Sequence, residues 1–204
     1  MFLRKFSPEP TPQERQSSRR QFEGSTDRRE SSLADYLGKF DLSEDELRGK
    51  KVLDIGSSVQ AKFASEARDK GIEVISLNPE FASERIGMKM SMRKKGLAGV
   101  AALAQELPFP DNTFDREVSM HGVPGYLPEF VSEYRLAFQE MIRTLKPGGE
   151  AKLFPVSDKL AESQEFKSLL AELTGVEAGA ILEELPGQGA DHRYRLIIRK
   201  KKTD

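Results

Sequence analysis

Lys51-Val52-Leu53-Asp54-Ile55-Gly56-Ser57-Ser58-Val59-Gln60 begins as a buried strand and then turns at Gly56. Val52, Leu53 and Ile55 make the short apolar run that a parallel strand carries when both its faces are covered. Asp54 and Gly56 fall where such a strand turns into a helix, here the one carrying Phe63 and Ala64. A strand-turn-helix presents free N–H groups and a partial positive charge at the end of a sheet, which is where α/β proteins hold nucleotides. Glycine lets a ligand approach the backbone of such a turn closely. Only Gly56 is present, with Ser58 and Gln60 where further glycines are expected.

Around this run the chain alternates. Strands are expected at Lys51 to Ile55, Glu73 to Leu77, Val100 to Leu103, Phe114 to Ser119 and Glu150 to Pro155, with helical segments between most of them. That order predicts an α/β fold, a Rossmann-like, mostly parallel sheet with helices on both faces. A helix is expected from about Glu129 to Leu145, with Phe130, Tyr134, Phe138, Met141, Ile142 and Leu145 on one face. Lys146-Pro147-Gly148-Gly149 ends it, because proline cannot continue a helix and the glycines permit a reversal. Lys159 to Leu173 reads as a further helix. Ala178 to Leu185 and Arg193 to Arg199 then read as a closing antiparallel pair joined through Pro186-Gly187-Gln188-Gly189. Before the first strand, Leu33, Tyr36, Leu37 and Phe40 recur at helical spacing, and Ser43 with Asp45 and Glu46 resembles a helix start. Both segments are expected to pack on the sheet edge.

With 204 residues the chain can form one domain with appendages. Residues 1–32, rich in Pro, Ser, Gln, Arg and Glu, read as a flexible polar tail, and 33–204 as the domain. The formal net charge of −1 implies no global nucleic-acid footprint. Absence of cysteine removes disulfides and thiolate sites, and with only His121 and His192 no metal is expected. Neither a signal peptide nor an apolar run long enough for a bilayer is visible, so the expected location is cytoplasmic and soluble.

Three blocks in order resemble the class I S-adenosylmethionine-dependent methyltransferases, specifically domains with an LPF-D-FD signature. They are Lys51 to Gly56 (KVLDIG), Leu107 to Asp115 (LPFPDNTFD) and Ile142 to Gly149 (IRTLKPGG). The resemblance covers about residues 50–156, and the final strand pair fits the family's antiparallel ending. It implies S-adenosylmethionine as methyl donor and S-adenosylhomocysteine as product. Residue by residue it implies cofactor contacts from Asp54, Gly56, Ser57 and Ser58 at the first motif. Asn78 and Pro79 follow at the ribose, Leu103, Ala104 and Gln105 at the adenine, and Met120 and His121 at the methyl-transfer edge. Asn78 stands where the family usually has an acidic residue for both ribose hydroxyls, and it offers one acceptor and one donor group instead. Glu80 either supplies that charge or is an exposed loop residue.

Within Ser119-Met120-His121-Gly122-Val123-Pro124-Gly125-Tyr126, His121 is the candidate general base for a hydroxyl or amine acceptor. The alternative is that it only packs beside the cofactor, and Tyr126 reads as a pocket wall. Methyl transfer asks little of side chains, since the sulfonium is already activated and the protein supplies alignment and desolvation. With His121-Gly122-Val123-Pro124 in place of the Asn/Asp-Pro-Pro-Tyr/Phe segment linked to nucleic-acid amino-methylation, a small-molecule acceptor is favoured. Two other readings stay open: an inactive, methyltransferase-like binding or scaffold module, and an RNA-associated enzyme using Met88 to Lys95 and Arg199 to Lys202. No membrane partner is expected.

Overall fold

Central apolar runs set the architecture of the computed structural model, which describes residues 30–82, 96–125, 131–175, 177–186 and 193–202. Strands β1 (Lys51–Ile55), β2 (Glu73–Leu77), β3 (Ala98–Val100), β4 (Phe114–Met120), β5 (Leu145–Val156), β6 (Ala178–Glu184) and β7 (Tyr194–Lys200) form one sheet. Their order is β3-β2-β1-β4-β5-β7-β6. β1 pairs in parallel with β2 (Val52 opposite Val74) and with β4 (Val52 opposite Arg116). β7 is antiparallel to both β5 and β6, which gives the expected closing pair.

Two strands depart from expectation. The third occupies Ala98–Val100, not Val100 to Leu103, because its register is fixed by Ile75 to Leu77 of β2. Leu103 is therefore in the loop beyond the sheet. β5 starts at Leu145, which pairs with Phe114, before Arg116 pairs with Glu150. Lys146-Pro147-Gly148-Gly149 is thus an excursion within a strand. Gly148 has φ +79°, and a Cβ on Gly149 would lie 2.9 Å from the Lys146 carbonyl oxygen.

The helices are α1 (Leu33–Phe40), α2 (Glu44–Leu47), α3 (Lys62–Asp69), α4 (Val131–Thr144), α5 (Asp158–Glu162) and α6 (Gln164–Leu173). Capping boxes start α1, through Ser32 and Asp35, and α2, through Ser43 and Glu46. The helix expected over Lys159 to Leu173 divides at Ser163, whose side chain accepts from the Phe166 N–H and caps α6. α4, α5 and α6 cover one face of the sheet, burying Tyr134, Phe138 and Phe166 against Leu53, Leu153 and Leu196. α1, α2 and α3 cover the other.

α1 lies on that face and not at the sheet edge. Tyr36 and Phe40 join Val52, Val118 and Phe154 in one core, and the Tyr36 ring stacks on Phe63 of α3 at 3.9 Å. Its C-terminal carbonyls face two cations. Lys152 Nζ donates to the Phe40 oxygen at 2.7 Å, and Arg195 Nη1 donates to the Lys39 oxygen at 2.8 Å. Positive groups there satisfy open carbonyls and complement the helix dipole. Among the described residues no helix is long and apolar enough to cross a membrane. The Met88 to Lys95 stretch, Tyr126, His192 and residues 1–29 of the tail lie outside the described residues.

The sheet also buries two carboxyls. Glu117 of β4 is 1% exposed, and Thr144 Oγ1 donates to its Oε1 at 2.6 Å. Its Oε2 has no partner among the described residues. Burial pushes the Glu117 carboxyl up to about 8, and burial pushes that of Asp54 up to about 7 against the opposing Tyr36 hydrogen bond. Unfolded carboxyls ionise near about pH 4, so between pH 4 and 8 the folded chain binds more protons than the unfolded chain. Their contribution to stability is complete below the unfolded value and is lost as pH rises through 7 to 8. Urea unfolding of Glu117→Gln is expected to match wild type within about 0.5 kcal/mol at pH 5 and to exceed it at pH 9. An unchanged pH slope would contradict this assignment.

Candidate functional site

From β1 the chain moves outward to β2 and β3 on one side and returns to β4 on the other. The carboxyl ends of β1 and β4 therefore flank a topological switch point, the crevice where open α/β sheets bind ligands. Two glycines meet there. Gly56 has φ +76°, and a Cβ on it would lie 2.9 Å from Gly122 Cα. A Cβ on Gly122 would lie 2.7 Å from the Ile55 oxygen and 2.6 Å from Ser119 Oγ. Ser119 Oγ fixes the crossing by donating to the Ile55 oxygen at 2.7 Å while accepting from the Val123 N–H at 2.7 Å.

The turn after Gly56 shows how the chain manages without the other glycines. Gly56 and Ser57 both direct their N–H groups to the Leu77 oxygen, at 2.9 and 3.1 Å. Ser58 and Gln60 are absent from the positive-φ positions among the described residues, so their side chains add no strain there. The left-handed conformation falls on Ala61 instead, with φ 47° at the N-cap of α3. Alanine brings no side-chain cap, so the α3 N-terminus keeps its first N–H groups for another acceptor. Ser57 Oγ is buried and also lacks a partner among the described residues.

Asn78 closes the neighbouring corner. Its N–H reaches the Val100 oxygen at 3.1 Å, tying the end of β2 to the end of β3. The side chain is engaged at both ends, with Nδ2 donating to the Ser57 oxygen at 2.6 Å and Oδ1 accepting from the Glu80 N–H at 2.8 Å. Pro79 opens the 3-10 turn Pro79–Ala82. Glu80 is an exposed member of that turn. In the loop after β3, Ala104 is buried while Leu103 and Gln105 are half-buried. Gln105 Nε2 donates to Glu133 Oε2 of α4 at 2.7 Å. Glu133 escaped the sequence reading, although its spacing from Ala137 and Met141 put a carboxylate on the buried stripe of α4.

LPFPDNTFD has a structural task. Phe109 packs edge-on against Phe114 at 4.8 Å. Arg143 of α4 donates to the Leu107 and Phe109 oxygens at 2.9 and 2.7 Å, and Glu140 accepts from the Leu107 N–H at 2.8 Å. The block is clamped to α4, which sets where the preceding Leu103 to Gln105 loop lies.

Asp54, Met120 and His121 complete the expected set. Asp54 is 1% exposed beneath α1 and accepts from Tyr36 Oη at 2.8 Å, so it supports the turn from the α1 face. Met120 is buried at the end of β4. His121 has φ 55°, a strained value for a residue with a Cβ, of the kind found at functional corners. Its N–H donates to the Phe154 oxygen at 2.7 Å, and its ring meets Phe154 edge-on at 6.1 Å. The structure joins Gly56, Ser57, Asn78 and β3 by hydrogen bonds, brings Gly122 against Gly56, and leaves Asp54 on the α1 side. Among the described residues no cluster of His, Cys, Asp or Glu could hold a metal.

Residues 53–152 match the family model described as a methyltransferase domain. The ubiquinone/menaquinone biosynthesis C-methyltransferase UbiE of Yersinia pestis is 35% identical over 122 residues, covering 56% of this chain and 46% of the relative. The chain thus spans less than half the length of that curated relative. The N-methyltransferase NodS of Bradyrhizobium japonicum, solved with S-adenosyl-l-homocysteine, superimposes with a TM-score of 0.59 at 18% identity over 94% of this chain and 99% of that one. The 1,6-didemethyltoxoflavin-N1-methyltransferase of Burkholderia thailandensis gives 0.58 at 14% identity over 97% and 93%. At those identities the two structures speak for the fold. Over residues 53–152 the chain carries a methyltransferase domain, with the fold of the class I S-adenosylmethionine-dependent methyltransferases.

Two substitutions test this geometry. Gly56→Ala adds a Cβ against backbone in a left-handed residue and is expected to cost about 2–4 kcal/mol in urea unfolding. Asn78→Asp restores the acidic residue usual in the family but turns an acceptor toward the Ser57 oxygen. A loss of about 1–3 kcal/mol is expected, with no gain in nucleoside affinity. A stable Asn78→Asp variant with tighter binding would show that the Asn78 amide is dispensable.

Proposed function

We propose that this domain binds S-adenosylmethionine across the carboxyl ends of β1, β2 and β4 and passes its methyl group to a small-molecule acceptor. The carrying observation is the Gly56–Gly122 backbone contact beside an α3 N-terminus without a side-chain cap. The contact fixes the two strand ends against each other, and the uncapped helix end beside it offers N–H donors to a carboxylate-bearing ligand. In this reading Gly56, Ser57 and Ser58 meet the methionine end, with Asp54 holding the strand beneath them. Asn78 and Pro79 border the ribose, Leu103, Ala104 and Gln105 the adenine, and Met120 and His121 the methyl edge.

The cofactor when bound supplies an activated methyl group. The residues of this chain then align it and exclude water, and His121 accepts a proton where the acceptor is a hydroxyl or amine. The small-molecule reading draws support from two relatives, one acting in ubiquinone/menaquinone biosynthesis and one solved with 1,6-didemethyltoxoflavin. A second reading, a binding module without turnover, is favoured by one observation: both ends of the Asn78 amide are engaged within the chain. An RNA-associated role gains little, since Lys200 Nζ donates to Asn112 Oδ1 and Lys201 Nζ to the Gly175 oxygen.

Isothermal titration with S-adenosylmethionine and S-adenosylhomocysteine tests the proposal, and saturable one-to-one binding of both is expected. His121→Ala is expected to keep S-adenosylhomocysteine affinity within about tenfold, since this residue serves the acceptor side. No heat and no thermal shift at millimolar ligand would refute the reading. Binding without methyl transfer across a panel of hydroxyl, amine and activated-carbon acceptors would favour the module.

A further inference from the structure

The strongest unassigned feature is the pair Gln105–Glu133. Ala101-Ala102-Leu103-Ala104-Gln105 directly follows the β3 end that Asn78 holds through the Val100 oxygen, and it is the segment that the proposed function places at the adenine. In that segment Gln105 is the one side chain with a polar atom. An amide side chain has one donating and one accepting end, and a neighbour normally decides which end points where. Here the neighbour is a carboxylate. Glu133 Oε2 accepts, so the Gln105 NH₂ group must face it, as the 2.7 Å contact records. The Gln105 amide oxygen is thereby committed to the other side.

A purely structural role explains the pair poorly. Glu133 is 4% exposed, in register with Ala137 and Met141 on the buried stripe of α4. Its Oε1 has no partner among the described residues. A buried carboxylate costs desolvation free energy that an apolar residue in the same register would not. Retaining it gains orientation of a half-buried partner.

We propose that Glu133 is a positioning residue that turns the Gln105 amide oxygen toward the base, where it accepts from the exocyclic 6-amino group and makes the site selective for adenine. This rests on the cofactor reading above. A 6-oxo purine would present an acceptor to that oxygen and lose the bond, and such mismatches discriminate strongly because a polar group is left unpaired. Leu103 and Ala104 supply apolar contact that does not distinguish the two bases.

The test compares S-adenosylhomocysteine with its 6-oxo analogue S-inosylhomocysteine, by titration calorimetry on the full chain. Wild type is expected to prefer the amino form by about tenfold or more. Glu133→Leu frees the amide to rotate, so the preference should fall below about threefold while S-adenosylhomocysteine still binds. Glu133→Gln keeps the volume and a polar partner without dictating amide direction, and an intermediate ratio is expected; it also serves if the leucine variant does not fold. Equal affinity of wild type for both ligands, or an unchanged ratio in both variants, overturns the proposal and leaves cofactor binding intact. Failure of wild type to bind either ligand overturns both.

Discussion

The backbone contact between Gly56 and Gly122 is the constraint on which the rest depends. At van der Waals range neither residue can carry a Cβ, because each would strike backbone of the other strand end. Ser119 makes the approach rigid by bonding Ile55 on one side and Val123 on the other. The β1 turn and the segment after β4 therefore hold a fixed separation, and everything proposed for the ligand is measured from it. Chain order creates the crevice, but glycine chemistry sets its floor.

Around that floor the structure uses polar groups in unequal ways. Lys152 and Arg195 satisfy the end of α1 and keep Tyr36 over Asp54, so the helix preceding the first strand becomes part of the support for the turn. Asn78 spends its amide on joining Ser57 to the Pro79–Ala82 turn. A carboxylate at that position could accept from Glu80 but could not donate to Ser57. The departure from the family's acidic residue is thus coupled to the shape of the first turn. Glu117 and Glu133 are buried, each with one oxygen unpartnered among the described residues, one deep under Thr144 and the other beside the loop after β3. Of the two, only Glu133 engages a residue bordering the proposed base site.

Much of this is legible in the amino-acid sequence alone. β1 and β2 matched their expected limits because Val52-Leu53 and Val74-Ile75 are apolar runs between clear turns, and α1 matched because Leu33, Tyr36, Leu37 and Phe40 recur at helical spacing, while its Ser32 cap reads as part of the tail. What stayed hidden depended on distant partners. β3 is set by pairing with β2 and not by its own Ala98-Gly99-Val100 composition. The early start of β5 depends on Leu145 meeting Phe114 across a glycine excursion. The apparent loss of glycines at Ser58 and Gln60 is resolved by Ala61, which takes the left-handed conformation and which no local pattern marks. Glu133 carried a weak signal, a charge on a buried stripe, whose meaning required Gln105 to be seen beside it.

Hydrogen–deuterium exchange of the full chain with and without S-adenosylhomocysteine tests the central claim most directly, because it reports which backbone segments the ligand touches or steadies. The account predicts slowed exchange in the Gly56–Ala61 turn, in Asn78–Ala82, in Ala101–Gln105 and at Met120–Gly122, with the β6–β7 pair unchanged. Protection confined to other segments, or none at saturating ligand, would contradict it.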